Sequence, residues 1–349
     1  MAKISKENKE KLIAIGLEKI NKTSKLSWKE IGQLFGIAAE DARQIVKAHR
    51  YSKKEVKGRY EKGRFSMIIL SDLHVPDHDE EFILNTIEKH KNVDVIVLNG
   101  DIIDCKAVSS FDNEGISILD KELLETYWLL KQIRKITKAK IVLVKGNHEH
   151  RVNREYAKKA KNLGTALVET EILYKLANGF TITFGEVGEK IEYKPIKDVD
   201  YVNARSFVYG DLLVNHPSSF SKIPMRTVTN MYEQRFKYKY PEAKVVVIGH
   251  THQAGMVYRD DGTILIEQGC SCFNMSYAEQ DDKPYGAQQR GYVYLEMKDK
   301  KVDLETVRLF NRGPARNKFE TELYDLDKGA IKPKEYIDED DLVEVEDIY

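Results

Sequence analysis

The distribution of apolar residues divides the chain into two regions. Up to about residue 50, apolar residues recur at the spacing of short amphipathic helices. From residue 66 onward, short runs rich in β-branched residues alternate with helical stretches at about 79–91 and 117–137. This alternation predicts an α/β sandwich of mixed sheets, preceded by a small all-α domain.

Ten apolar runs predict strands in the second region. We call five of them the core runs, because they are short, continuous and β-branched, as buried strands are. The core runs are 67–70, 93–98, 141–144, 212–214 and 245–248. The five later assignments are 181–184, 255–258, 263–267, 292–297 and 302–309.

The first region has the pattern of a helix-turn-helix unit over about residues 24–50. Ser27 and Glu30 form a capping box at the start of one helix, and Gly36 ends it. A third helix, about 38–50, has a basic outer face. The resemblance implies that this face contacts DNA through Arg43, Gln44, Lys47 and Arg50. A helical oligomerisation arm is the alternative interpretation.

Charge is unevenly distributed although the chain has 56 Lys+Arg and 56 Asp+Glu. Residues 1–65 carry a net charge of +9, and the remainder carries −9. This asymmetry predicts two units with different partners. The expected organisation is a DNA-binding domain over 1–50, a basic linker over 51–65, a catalytic body over 66–312 and an acidic, flexible tail over 313–349.

Composition excludes several classes of protein. The chain is 42% hydrophobic and 32% charged, and no apolar run approaches the roughly 20 residues of a membrane span. The charged start does not resemble a secretion signal. Three cysteines are too few for a disulfide framework. We therefore expect a reduced, cytoplasmic protein with no membrane partner.

Each of the five core runs is followed directly by polar residues that can bind metals. Because ligand sites of α/β sheets lie beyond the carboxyl ends of strands, these side chains are expected to converge. The sequences after the runs are Asp72-Leu73-His74, Gly100-Asp101-Ile102-Ile103-Asp104, Gly146-Asn147-His148-Glu149, Asn215-His216 and Gly249-His250-Thr251-His252.

Taken in order, these motifs resemble those of the calcineurin-like metallophosphoesterases. The resemblance implies a four-layer αββα sandwich and two divalent metals. Asp101 would bridge the metals; the other ligands would be Asp72, His74 and His252 for one, and Asn147, His216 and His250 for the other. Imidazole and carboxylate ligands suit Mn²⁺, our first choice, and also Fe, Zn²⁺ or Ni²⁺.

The resemblance also implies that a metal-bridging hydroxide attacks the phosphorus. His148, next to the ligand Asn147, would stabilise or protonate the leaving group. Asp104 would orient a ligand or cap its loop. Glu149 would contact the ligand residues without binding a metal itself. Arg151 would hold a phosphate oxygen or pair with a core carboxylate.

Three functions remain open on sequence grounds. The leading hypothesis is a DNA-acting phosphodiesterase or nuclease. The second is a phosphomonoesterase or small-nucleotide phosphodiesterase with a localising arm, and the third is a non-catalytic DNA-binding regulator. The expected partner is DNA, with a homo-oligomer as a further option; the arm-and-esterase arrangement resembles phage proteins. Basic and aromatic residues interleave between Asn215 and Lys244, where they form either a nucleic-acid surface or an amphipathic helix with buried aromatics.

Overall fold

A computed structural model describes most of the chain. The described residues are 6–20, 25–39, 42, 46, 63–108, 119–159, 171–184, 189–275, 288–318 and 342–344. The chain divides into two compact units, Met1–Arg59 and Tyr60–Tyr349.

The described part of the first unit contains helices α1 (Lys6–Ile20) and α2 (Trp28–Leu34). Ser27 caps α2, since its Oγ accepts a hydrogen bond from the Glu30 backbone N at 3.2 Å. The Glu30 carboxylate in turn accepts one from the Ser27 backbone N at 2.7 Å. The predicted capping box is therefore present, and it satisfies two backbone donors at the start of the helix.

A small apolar cluster holds the described residues of this unit together. Its buried members are Leu12, Ile31, Ala42 and Val46. The proposed DNA contacts Arg43, Gln44, Lys47 and Arg50 lie outside the described residues, as does the predicted linker up to residue 62. The recognition helix of the helix-turn-helix hypothesis therefore stays a prediction.

The second unit contains fourteen strands among its described residues. They are β1 (Arg64–Leu70), β2 (Val95–Asn99), β3 (Lys140–Val144), β4 (Phe180–Phe184), β5 (Glu189–Tyr193), β6 (Val199–Val202), β7 (Ser206–Tyr209), β8 (Leu212–Asn215), β9 (Val245–Ile248), β10 (Ala254–Tyr258), β11 (Ile264–Gln268), β12 (Gln289–Lys298), β13 (Lys301–Pro314) and β14 (Leu342–Glu344).

Its helices lie between these strands. They are α3 (Glu80–Lys89), α4 (Leu119–Ile136), α5 (Asn147–Lys159), α6 (Ile172–Asn178) and α7 (Arg226–Met231), which continues through a π-helical turn (Tyr232–Phe236) into α8 (Lys237–Lys239). A 3₁₀ turn covers Lys106–Val108. The helices predicted at 79–91 and 117–137 are confirmed by α3 and α4.

The strands form three sheets. The first has the order β13-β12-β1-β2-β3-β6, the second β10-β11-β9-β8-β7, and the third β14-β5-β4. In the first sheet β1, β2, β3 and β6 are parallel, and in the second β8, β9 and β11 are parallel. Each parallel group therefore presents its carboxyl ends at one edge of its sheet, which confirms mixed sheets in an α/β body.

The first two sheets have helices on their outer faces. Ile83 and Leu130 of α3 and α4 belong to one buried cluster with Ile68 and Ile96 of the first sheet. Residues of α7 and the π-helical turn pack on the second sheet, where Val228, Tyr232 and Phe236 are buried with Leu213 and Val246. Between the sheets, Asn99 Nδ2 donates to the backbone oxygen of Asn215 and to Gln268 Oε1, both at 3.2 Å.

The basic and aromatic stretch after Asn215 is an amphipathic helix with two of its aromatics inward. Tyr232 is 6% exposed and Phe236 is 2% exposed, whereas Tyr238 is 73% exposed. Lys237 forms an ion pair with Glu233. Between a nucleic-acid surface and an amphipathic helix with buried aromatics, the second interpretation therefore applies to Tyr232 and Phe236.

Four strands were missed by the sequence pattern. They are β5, β6, β7 and β14, which are short or contain charged residues. The strand β14 lies in the segment expected to be a flexible tail, and it pairs antiparallel with β5. The body also passes its expected end at Arg312, because β13 reaches Pro314 and Arg316 forms an ion pair with Asp79.

The cysteines and helices add two observations. Cys105, Cys270 and Cys272 are all free and buried. Within the part of the chain that the structure describes, none of the helices is both long enough and apolar enough to cross a membrane.

Candidate metal centre

Five strands place the predicted ligands together. Loops after β1, β2 and β3 in the first sheet, and after β8 and β9 in the second, carry the polar side chains. Those brought together are Asp72, His74, Asp101, His148, His216, His250 and His252, with Asn147 at the start of α5. The structure thus gathers six of the seven predicted metal ligands and His148 at the carboxyl ends of the strands, and the seventh, Asn147, directly precedes His148.

The carboxylate of Asp101 lies at the centre of this group. Its Oδ2 is 3.1 Å from His216 Nε2, 3.9 Å from His250 Nδ1 and 3.9 Å from His74 Nε2. The same oxygen is 3.6 Å from His148 Nε2. One carboxylate oxygen therefore faces four imidazoles that come from four different loops.

The carboxylate of Asp72 faces a second, overlapping group. Its Oδ1 is 3.3 Å from His252 Nε2, 3.8 Å from His216 Nε2 and 3.9 Å from His74 Nε2. The donor atoms of Asp72, His74 and Asp101 all lie within 4.8 Å of one another, as do those of Asp101, His216 and His250. Two overlapping sets of ligand atoms thus share Asp101.

Unpaired buried atoms show that the group fits divalent cations. Asp101 Oδ2, Asn147 Oδ1 and His216 Nε2 are buried and have no hydrogen-bond partner among the described residues. Burying such atoms without a partner is costly, and a cation removes that cost by accepting their lone pairs. Nitrogen and oxygen ligands of this kind suit Mn²⁺, Fe or Zn²⁺.

Backbone conformation at the ligands is unusual. The φ angles are positive at Asp72 (53°), His74 (51°), Asp101 (47°), His250 (72°) and His252 (53°). Non-glycine residues rarely adopt this left-handed conformation, and its cost of about 1–3 kcal/mol per residue is tolerated mainly at functional sites. The loops therefore adopt a less stable backbone conformation, which directs these side chains toward the ligand group.

Two glycines of the motifs allow close approach. A Cβ at Gly100, whose φ is +78°, would lie 2.3 Å from His216 Nδ1. A Cβ at Gly146 would lie 2.1 Å from the Asp101 backbone N. Any side chain at either position would displace a predicted ligand, which explains why glycine precedes both Asp101 and Asn147.

Hydrogen bonds orient two of the imidazoles. His74 Nδ1 lies 2.7 Å from Asp104 Oδ1, and His216 Nδ1 lies 2.6 Å from the backbone oxygen of Asn99. Because each Nδ1 donates to an oxygen, each Nε2 is directed at the ligand group, where it could bind a cation in place of a proton. Asp104 is therefore placed where the sequence suggested, beside a predicted ligand.

His148 lies at the edge of the group with both nitrogens engaged. Its Nδ1 is 2.7 Å from the backbone oxygen of Asp104 and 2.9 Å from its Oδ1. Its backbone N donates to Asp101 Oδ1 at 2.9 Å. Nη2 of Arg151 lies 2.8 Å from His148 Nε2. Among the described residues, Arg151 thus contacts the histidine and no core carboxylate.

Glu149 supports the loop that carries Asp101. Its buried carboxylate accepts hydrogen bonds from the backbone N atoms of Asp101 (3.2 Å), Ile102 (2.7 Å) and Gly146 (2.8 Å). Burial, and then the charge of Asp101, raise the pKa of Glu149. This side chain ties the Gly-Asp loop to the Gly-Asn loop without facing the ligand group itself.

The electrostatics of the group favour positive charge. Burial lowers the pKa of His216, but Asp101 and Asp72 raise it more strongly, to about 9. Burial likewise lowers the pKa of His148, and Asp101 and Asp104 reverse that shift to a net increase. Raised histidine pKa values mean that the buried carboxylates attract protons, and they would attract metal cations for the same reason.

One neighbour of the group was not assigned to it from the sequence. Cys272 Sγ lies 4.0 Å from His252 Nδ1, and Cys272 is fully buried. No pattern in the sequence indicates this contact, because the thiol and the imidazole lie in loops after different strands.

The comparison with known families bears on this arrangement. The model of the calcineurin-like phosphoesterases matches residues 65–254, more than half of the chain. The chain belongs to the calcineurin-like phosphoesterase family. Members of this family bind divalent metals, in agreement with the clustered aspartates and histidines of this phosphoesterase.

Solved structures similar to this phosphoesterase include three examples. A predicted phosphoesterase from Streptococcus pneumoniae has 13% identity, covers 71% of this chain and 98% of its own, and gives a TM-score of 0.27. An archaeal phosphodiesterase has 12% identity, 70% and 99% coverage and a TM-score of 0.30. Vps29 from Entamoeba histolytica, solved with zinc, has 12% identity, 71% and 98% coverage and a TM-score of 0.32. A search of curated proteins found no match.

Proposed function

We propose that this phosphoesterase is a dinuclear metal-dependent phosphodiesterase that hydrolyses DNA. The observation that carries the proposal is the unpaired, buried Asp101 Oδ2, which faces imidazoles from four loops. A carboxylate in this position can be shared by two cations and offset their mutual repulsion.

The chain offers ligands for two ions. Asp72, His74, Asp101 and His252 would hold one, and Asp101, Asn147, His216 and His250 would hold the other. Ions bound there would act as Lewis acids toward a phosphate and provide a nucleophile from water at neutral pH. Mn²⁺ is the ion we propose, because the ligands are imidazoles and oxygens.

His148 is proposed to act on the leaving group. Asp104 holds its Nδ1, so the imidazole is fixed in one orientation with Nε2 toward the ligand group. The net increase in the pKa of His148 favours the imidazolium, which would donate its Nε2 proton to the departing oxygen once Arg151 turns from Nε2 to the phosphate. Arg151, next to Nε2, would place a positive charge beside the phosphate.

Support for DNA as the substrate comes from the sequence. The first 65 residues carry a net charge of +9 and resemble a helix-turn-helix unit, which would hold the body on DNA. The competing hypothesis is a phosphomonoesterase whose arm only localises it. Both hypotheses use the same metal ligands, so the identity of the substrate distinguishes them.

A substrate panel tests the proposal directly. The full chain loaded with Mn²⁺ is assayed on single- and double-stranded DNA, bis-p-nitrophenyl phosphate and p-nitrophenyl phosphate. We expect cleavage of DNA and of the bis ester, both abolished by EDTA. Turnover of the monoester alone would contradict the proposal and favour the phosphomonoesterase. No turnover of any substrate would favour a non-catalytic DNA-binding regulator.

A further inference from the structure

A groove lined by positive side chains lies beside helix α3, outside the metal centre. Lys89 of α3, Arg290 of β12, Arg312 of β13 and Arg316 just after it line a cavity of about 340 Å³. We call these four residues and the space between them the cationic groove. Glu81 is the carboxylate among its lining residues.

Two of the four cations are fixed by a buried carboxylate. Asp79 is fully buried, and its carboxylate accepts hydrogen bonds from Arg290 Nη1 (3.1 Å) and from Arg316 Nη2 (2.6 Å) and Nε (3.2 Å). Arg316 Nη1 also donates to Glu81 at 2.9 Å. Arg290 and Arg316 therefore have carboxylate partners and form a rigid, largely neutralised wall.

The other two cations have no such partner. Lys89 Nζ lies 4.9 Å, and Arg312 Cζ lies 5.9 Å, from the centre of the Phe310 ring. Among the described residues, neither forms an ion pair with a carboxylate. Both side chains are exposed. The groove therefore has two uncompensated positive charges, each held near one aromatic ring.

The positive charges of the groove also affect a neighbouring histidine. His90 packs against Phe310 and Tyr292, and its Nε2 lies 3.1 Å from the Tyr292 hydroxyl. Burial, then the charges of Lys89 and Arg312, lower the pKa of His90. His90 thus lies close enough to Lys89 and Arg312 to be affected by both of their charges.

One lining residue of the groove, Arg290, lies at the sheet edge that carries the metal centre. The β12 strand runs antiparallel to β1, so Arg290 lies at the carboxyl end of β1. Gln289, next to Arg290, donates its backbone N–H to the backbone oxygen of His252 at 2.8 Å. Only about two residues, each spanning at most ~3.6 Å, therefore separate Arg290 from a predicted metal ligand.

We propose that the cationic groove binds a phosphate of single-stranded DNA on one side of the bond that is cleaved at the metal centre. Lys89 and Arg312 would contact the phosphate, while Arg290 and Arg316 shape the wall. A cavity of this volume is at the lower end of the range for small-ligand sites, which fits one nucleotide. The inference rests on the proposed phosphodiesterase activity for the position of the cleaved bond.

Binding of a fluorescein-labelled oligothymidylate, followed by anisotropy in EDTA, tests the groove without catalysis. The full chain is compared with the double variant Lys89→Gln/Arg312→Gln. The matched control is Lys138→Gln/Lys298→Gln, which removes two exposed lysines at the opposite edge of the first sheet. We expect the groove variant to bind about tenfold more weakly and the control to bind like the unaltered chain.

The salt dependence adds a readout that a structural defect would not change. Each phosphate of a single strand that the protein neutralises contributes about 0.7 to the slope of log affinity against log salt, so loss of the one phosphate contact is expected to make the slope of the groove variant about 0.7 smaller. Unchanged affinity and slope, or equal weakening by the control variant, would overturn the proposal. An equal decrease in affinity for a duplex would overturn the assignment to a single strand.

Hydrolysis of bis-p-nitrophenyl phosphate with Mn²⁺ separates the groove from the proposed function. The groove variant is expected to hydrolyse this small ester at the rate of the unaltered chain. If the unaltered chain does not hydrolyse it, the phosphodiesterase proposal fails, but the binding result still decides whether the groove holds DNA. Hydrolysis with no difference in oligothymidylate binding would reject the groove alone.

Discussion

The metal centre lies at the same edge of the first sheet as Asp79 and its partners Arg290 and Arg316, which we call the Asp79 cluster, and both groups bury carboxylates. In the Asp79 cluster, two arginines pair with the carboxylate, so its charge is neutralised within the protein. In the metal centre, Asp101 Oδ2 and His216 Nε2 have no hydrogen-bond partner among the described residues. The charge of the first group is therefore compensated within the protein, whereas the second group keeps unpaired ligand atoms that divalent cations would bind.

The largest expected effect is the loss of catalytic activity when a residue of the metal centre is substituted. Asp101→Asn removes the shared carboxylate, and the decrease in stabilisation of several kcal/mol corresponds to a fall in kcat of about 10³-fold or more. Turnover of bis-p-nitrophenyl phosphate and the metal content of the purified variant measure this. Asp260→Asn, on the exposed turn before β11, is the control with unchanged activity. Full activity of the Asp101 variant would refute the bridging role.

A second substitution tests His148 within the metal centre. His148→Ala removes the proposed proton donor but no metal ligand, so kcat is expected to fall about 10²-fold while both ions remain bound. Activity assays and elemental analysis of the same preparation provide the comparison. Loss of metal from this variant would mean that His148 binds the ions instead of acting on the leaving group.

Substitution of Asp79 is expected to lower the stability of the folded protein. Asp79→Ala leaves Arg290 and Arg316 without their shared partner and removes the cap of α3, where Asp79 Oδ1 accepts from the Phe82 backbone N at 3.0 Å. The free energy of unfolding is expected to fall by about 3 kcal/mol, measured by urea denaturation. Asp79→Asn, which retains the capping oxygen, is expected to be less destabilised. Equal destabilisation of both variants would show that the capping oxygen contributes little and that the lost charge of Asp79 accounts for the effect.

The smallest effect is metal-induced stabilisation. Mn²⁺ at about 100 times its Kd is expected to stabilise the folded chain by about 2.7 kcal/mol, seen as an increase in Tm that EDTA reverses. The variant Asp79→Asn is expected to keep this increase, and Asp101→Asn to show little of it. If Mn²⁺ left the Tm of the unaltered chain unchanged, the metal centre would not bind the ion we propose.

The ligand motifs can be located in the sequence because each one directly follows a strand. Each predicted ligand follows its strand within a few residues, so a correctly assigned strand also indicates where its ligands lie. The core runs coincide with β1, β2, β3, β8 and β9 to within a few residues at each end. The strands β5 and β14 were missed because Glu189–Tyr193 alternates charge with single apolar residues and Leu342–Glu344 lies in an acidic segment.

Arg151 shows where local sequence is insufficient. Its two predicted roles were a phosphate contact and a pairing with a core carboxylate. In the structure it lies against His148, one helical turn earlier in α5. Spacing of three residues along a helix permits this contact, but the choice among partners depends on the side chains that surround the helix end.

The family of this phosphoesterase, its mixed α/β body and the set of residues that meet at the strand ends can all be predicted from the amino-acid sequence. These follow from short motifs attached to apolar runs, which need only local order along the chain. The pairing of Asp79 with arginines more than 200 residues away, and with it the cationic groove, becomes visible only in the folded molecule. Such contacts depend on which strands become neighbours, because sheet pairing brings remote side chains together without any local pattern that marks them.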